Sequence, residues 1–134
     1  MKAAVMYTVV TSALFFAGCE PLPPILHVYP QSTSEELSSE DIQDVIRIMD
    51  MIGAEYHLYP IAHPFFGALR QYSESGKGDH VLMGVFRNEA PSYLSLRAGG
   101  PYEHAINRRL KQALQARFGK SRVRWVSELI FNPV

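Results

Sequence analysis

The sequence predicts a small α+β domain, a mainly antiparallel sheet with two helices on one face, in the order α-β-β-β-β-α-β. Three observations carry that prediction. Apolar residues recur at helical spacing in two separate stretches, residues 42–52 and 102–118. Between them lie short apolar or alternating segments, separated by clusters of Gly, Pro, Ser and Asn. The chain of 134 residues is 47% hydrophobic and 19% charged, which fits one globular domain and excludes a disordered chain.

The first helix is the clearest element. Ser38 is placed to accept a hydrogen bond from the amide of Asp41, and acids crowd the positive end of the helix dipole. Leu37 and Ile42 occupy the two positions of a hydrophobic staple. Ile42, Val45, Ile46, Met49 and Ile52 form one apolar stripe, and Gly53 is the natural residue to end it.

Strands follow. From Glu55 to Ile61, Tyr56 and Leu58 alternate with His57, Tyr59 and Ile61. Residues 65–72 fit either a short helix, which Pro64 permits, or a strand, which their aromatic content favours. Ser73 to Asp79 is a glycine-rich turn. Val81 to Phe86 is apolar on both faces, as a central strand is, and Asn88-Glu89-Ala90-Pro91 turns the chain again. From Tyr93 to Ala98, Leu94, Leu96 and Ala98 point inward and Ser95 and Arg97 outward. These spacings predict an antiparallel meander.

Gly99-Gly100-Pro101 breaks the last of these strands, with Pro101 suited to the first helical position. Tyr102, Ala105, Ile106, Leu110, Ala113, Leu114 and Phe118 form the stripe of the second helix, and Gly119 ends it. A final strand is predicted from about Arg122 to Phe131, with Val123, Trp125, Leu129 and Phe131 on one face.

The N-terminus reads differently. Lys2 precedes an uncharged, mostly apolar run from Ala3 to Phe16, too short to cross a bilayer core of roughly 30 Å. The run ends in Phe16-Ala17-Gly18-Cys19, where two small residues let the chain lie extended in a peptidase cleft ahead of a thiol. This stretch resembles the signal peptide and lipobox of bacterial lipoproteins, over residues 1–19 only. Ala17, Gly18 and Cys19 match that pattern, while Phe16 stands where Leu is usual. The resemblance implies cleavage before Cys19, diacylation of its thiol and anchoring by acyl chains, each buried CH₂ adding about 0.8 kcal/mol. Glu20, in place of the Asp that favours inner-membrane retention, leans the implied location towards the outer membrane, facing the periplasm. The alternatives are an ordinary signal peptide or a short anchor with an incidental Cys; neither explains an isolated Cys at this boundary.

The expected organisation is therefore a signal peptide over residues 1–18, a lipidated Cys and proline-rich tether over 19–37, and the domain over 38–134. Pro21, Pro23, Pro24 and Pro30 favour extended chain, and residues 25–29 between them have the make-up of a short edge strand. Cys19 is the only cysteine, so the domain has no disulfide and no thiol catalyst.

Net charge is zero, so no global field selects nucleic acid. The charges are nevertheless segregated. Glu35, Glu36, Glu40, Asp41, Asp44, Asp50 and Glu55 accompany the first helix, and Arg108, Arg109, Lys111, Arg117, Lys120, Arg122 and Arg124 cluster towards the C-terminus. Arg108, Lys111 and Arg122 are the candidate surface for an envelope protein or an anionic envelope polymer. The plainer expectation is a solvated face that partly pairs with the acidic helix, at about 0–1 kcal/mol per pair.

Catalytic patterns are weak. His27, His57, His63, His80 and His104 lack the spacing that brings two imidazoles onto one face for a metal. Ser92, Ser95 and Ser127 lack a nucleophile-elbow context, and no cofactor motif is present. Glu103 and His104 at the start of the second helix, or Asp79-His80, are what a small metal-free hydrolase would have to use. The expected function is a non-enzymatic envelope lipoprotein that binds a partner or supports an assembly, held to the membrane by lipid.

Overall fold

The computed structural model describes residues 25–32, 34–78 and 80–126. The expected signal segment, Cys19, Asp79 and the expected strand residues Leu129 and Phe131 lie outside the described residues. Six strands and two helices follow in the order β1 (Ile25–Val28), α1 (Ser39–Glu55), β2 (Tyr59–Pro60), β3 (Arg70–Ser73), β4 (Met83–Glu89), β5 (Ser92–Ala98), α2 (Glu103–Phe118) and β6 (Val123–Val126). They form one sheet of order β2-β3-β4-β5-β1-β6 in which every pairing is antiparallel.

The α+β class and the placement of both helices on one face are as the sequence predicts. Strand alternation turns Leu26, Val28, Met83, Val85, Leu94, Leu96, Ala98 and Val123 to one side. They are buried there with Val45, Met49 and Ile52 of α1 and Ile106, Leu110, Leu114 and Phe118 of α2. Each such side chain removed from water contributes about 1.5–3 kcal/mol, so this layer supplies most of the driving force. Ser38 caps α1, its Oγ accepting from the Asp41 amide at 3.0 Å, and Leu37 and Ile42 both join the core. Gly119, at φ 91°, ends α2.

The start of the folded unit is corrected. Residues 25–28 are an interior strand between β5 and β6 rather than an edge strand in a tether, so the fold begins before residue 38. Leu26 and Val28 have no exposed surface, and their partners are Leu96 and Leu94 on one side, Trp125 and Val123 on the other. The flanking prolines suggested an edge. The five residues between them contain none, and the four that form β1 are enough to bridge β5 and β6.

Other boundaries also move, β4 among them, since the strand expected over Val81–Phe86 runs over Met83–Glu89 and takes in Asn88 and Glu89 of the expected turn. α1 runs through Gly53 to Glu55, shortening the strand expected from Glu55 to Tyr59–Pro60. A Cβ at Gly53 would sit 3.3 Å from both the Leu58 carbonyl oxygen and the Tyr72 ring, so this glycine allows close packing. The chain leaves the helix further on, with His57 at φ 59°. Residues 65–72 resolve into a loop followed by β3. At α2, Pro101 precedes the helix instead of opening it, and Tyr102 is 54% exposed instead of core. The reason lies beneath the loop: Gly99 donates to the Leu82 carbonyl and Gly100, at φ 83°, passes over the Leu82 side chain, which delays the first helical turn.

β4 and β5 pair from Met83–Ala98 to Glu89–Ser92, leaving Ala90 and Pro91, joined by a cis peptide bond, as the two turn residues. Among the described residues, no helix is long and apolar enough to cross a membrane.

Candidate functional site

Because both helices lie on one side, the second face of the sheet is left without a helix among the described residues. The same alternation that builds the core fixes what this face carries. Phe86 stands opposite Ser95, Gly84 opposite Arg97, and His27 between Ser95 and Arg124. A hollow of about 210 Å³ is lined by Ile25, Phe86, Ser95 and Arg97. A second, of about 180 Å³, shares Phe86 and Arg97 and extends to Gln71, Leu82, Gly84 and Gly99. Gly84 matters to the second, since a side chain there would rise between Gln71 and Phe86.

Beside the hollows runs an aromatic strip. The His27 ring stacks on Tyr93 at 4.4 Å, its Nδ1 lies 2.9 Å from the Tyr29 hydroxyl, and the Arg124 guanidinium stands 4.6 Å from the Tyr29 ring centroid. Half-buried aromatic faces with guanidinium groups recognise flat apolar or anionic groups by stacking and charge. This arrangement suits holding a ligand.

The basic residues singled out from the sequence separate in the fold. Arg108 is exposed on α2. Lys111, one turn further, holds its Nζ 5.6 Å from the Trp125 ring centroid. Arg122 faces α1 instead: its Nη2 donates to Asp41 at 2.8 Å and its Nε to the Tyr29 carbonyl at 2.9 Å. It packs against Phe118, ten residues beyond Arg108 and so about 15 Å along the helix axis. Two more members of the basic run also meet α1. Arg117 pairs with Asp44 at 2.6 Å and Arg109 grips Glu55 through two hydrogen bonds of 3.0 and 3.1 Å. Arg117 first, and then Arg47, hold the Asp44 carboxyl below the usual carboxylate range. The charge segregation thus joins the two helices.

One polar cluster gives no signal in the sequence. Arg70 and Tyr72 of β3 converge on Asp50 of α1, with the Tyr72 hydroxyl donating to Oδ1 at 2.5 Å and Arg70 donating to both carboxylate oxygens at 3.2 and 3.1 Å. Burial first, and then the hydrogen bond to Asp50, push the Tyr72 phenol well above its ordinary value. A phenol locked to a salt bridge in this way pins helix to sheet. An i, i+2 Arg-x-Tyr is visible in the chain, but its partner lies 20 residues away on another element.

His57, His63, His80 and His104 are exposed and dispersed, and Glu103 and His104 simply open α2. Among the described residues, no three His, Cys, Asp or Glu side chains gather closely enough to hold a metal ion.

No family model, curated protein or solved structure matches this chain. Its function is therefore read from its own residues.

Proposed function

We propose that this protein is a cell-envelope lipoprotein, cleaved before Cys19 and acylated there, whose domain is a non-enzymatic binding module. The anchor rests on the Ala17-Gly18-Cys19 boundary after an uncharged apolar run, and Glu20, in place of Asp, leans the reading towards the outer membrane, facing the periplasm. The binding role rests on one observation. Among the described residues no helix covers the second face of the sheet, which carries two hollows sharing Phe86 and Arg97, with Tyr93, Tyr29 and Arg124 on the same face. Envelope proteins and anionic envelope polymers both offer groups that stack on aromatics and accept from guanidinium.

Two measurements test the two halves separately. Radiolabelled palmitate should enter the natural chain and be absent from Cys19→Ser; equal labelling removes the anchor. A photo-crosslinking residue at Phe86 or Tyr93 should give one defined adduct in intact cells, and the same residue at exposed Gln112 of α2 should not. Equal adducts from all three positions remove the binding face.

A further inference from the structure

The loop between β2 and β3 carries the most exposed large apolar side chain among the described residues, and it is built to do so. Phe66 is 95% exposed and Phe65 44% exposed, with Leu69 and Tyr59 exposed beside them. The Phe65 carbonyl accepts from the Ala68 amide at 3.1 Å, closing a tight turn whose two central residues, Phe66 at φ 57° and Gly67 at φ 73°, are both left-handed. Such a turn favours Asn-Gly or Gly-Gly, because a bulky side chain at positive φ is strained. Phe66 therefore bears backbone strain and full exposure at once, and neither helps the fold.

The turn is also held firmly from behind. The Gln71 side chain, 4% exposed, accepts from the Phe65 amide at 2.7 Å through Oε1. The Phe65 ring lies so close over Gly78 that a Cβ there would come within 2.3 Å of it, and the Leu69 amide donates to the Val85 carbonyl at 2.9 Å. Strain kept in place by surrounding structure is the pattern of a functional position.

We propose that the Phe65–Leu69 turn is a membrane-docking tip that seats Phe66 in the interfacial region of a lipid bilayer. The choice of a bilayer rests on the lipoprotein reading of Cys19. Residues 20–24 separate that cysteine from β1, and five residues reach at most about 18 Å, so the domain is held against the membrane surface. The chemistry of the tip agrees. From Ile61 to Leu69 the chain carries no Asp, Glu, Lys or Arg. A protein pocket for Phe66 would meet a polar rim around an apolar centre. An uncharged aromatic tip fits the membrane interface, where aromatic rings concentrate.

The test uses the full chain, purified from the envelope and reconstituted in phosphatidylethanolamine–phosphatidylglycerol vesicles whose lipids are brominated on the upper acyl chain. Phe66→Trp and Gln112→Trp are compared, each in a Trp125→Phe background. Both positions are exposed, so neither substitution disturbs packing. The Phe66→Trp fluorescence should shift to the blue and be quenched severalfold more strongly than that of Gln112→Trp. Equal quenching at the two positions overturns the proposal. So does a blue shift that appears only when envelope proteins are added, which assigns the tip to a protein. Palmitate labelling of the same samples separates the two ideas. A labelled Cys19 with no quenching at Phe66→Trp defeats the tip alone, and quenching without label defeats the lipoprotein reading alone.

Discussion

Replacing Tyr72 with Phe isolates one hydrogen bond while keeping the buried ring. The lost donor bond runs to a charged acceptor, Asp50 Oδ1, at 2.5 Å. Bonds to charged groups contribute about 1.5–3 kcal/mol, and the lower end applies here because Asp50, 41% exposed, can recruit water in place of the phenol. At pH 7 the variant should therefore lose about 1.5 kcal/mol, lowering the urea midpoint by roughly 1 M if m is about 1.5 kcal/mol/M. The alkaline range sharpens the test. The folded phenol is raised above its ordinary value, so its contribution is fully present below the unfolded value near 10 and is lost as pH rises towards the folded one. In that window the unfolded chain releases a proton that the folded chain keeps, costing the natural protein up to about 1.4 kcal/mol per pH unit. Tyr72→Phe has no such proton to release. The stability gap should accordingly narrow by about 1 kcal/mol between pH 10 and pH 11. Urea unfolding followed by circular dichroism at pH 7, 9, 10 and 11 measures it. A gap that stays constant or widens with pH would refute the reasoning, because the phenol would then ionise as easily in the fold as out of it.

Three further outcomes are expected. A chain beginning at Ser32 should fail to melt cooperatively while one beginning at Ile25 does, since the buried side chains of Ile25, Leu26 and Val28 together contribute about 5–8 kcal/mol, comparable to a domain's whole stability. Arg117→Met should flatten the acid limb of a stability–pH profile: the lowered Asp44 carboxyl stabilises above the ordinary carboxylate value and loses that contribution as pH falls through the folded one, and Arg117 is the largest cause. Asn107→Leu should raise stability by about 1 kcal/mol in thermal or urea unfolding, because Asn107 Oδ1, buried in α2, has no hydrogen-bond partner among the described residues. A loss of stability there would mean that the amide is serving a contact the core needs.

What the sequence determines by itself is what neighbouring residues decide. The cap at Ser38, the stripe Val45–Met49–Ile52, the alternation of Leu94, Leu96 and Ala98, and the stop at Gly119 are all written within a turn or two of chain. Periodicity of 3.6 and of 2 then gives the fold class. The tertiary structure decides what depends on residues far apart. Ile25–Val28 reads as a short edge strand in a proline-rich tether, and only β5 and β6, 65 or more positions later, make it an interior strand. Gly53 reads as a helix stop until Tyr72 and Met83 are seen packed against it. Arg122 reads either as part of an anion-binding surface or as a partner of the acidic helix, and only the fold shows Asp41, 81 residues earlier, holding it. The sheet face with Phe86 and Arg124, and the Asp50–Arg70–Tyr72 knot, likewise exist only once strands have found their order. Local pattern gives the β2-β3-β4-β5 meander, but not that β1 and β6 extend the sheet beyond β5, since that is set by the core as a whole.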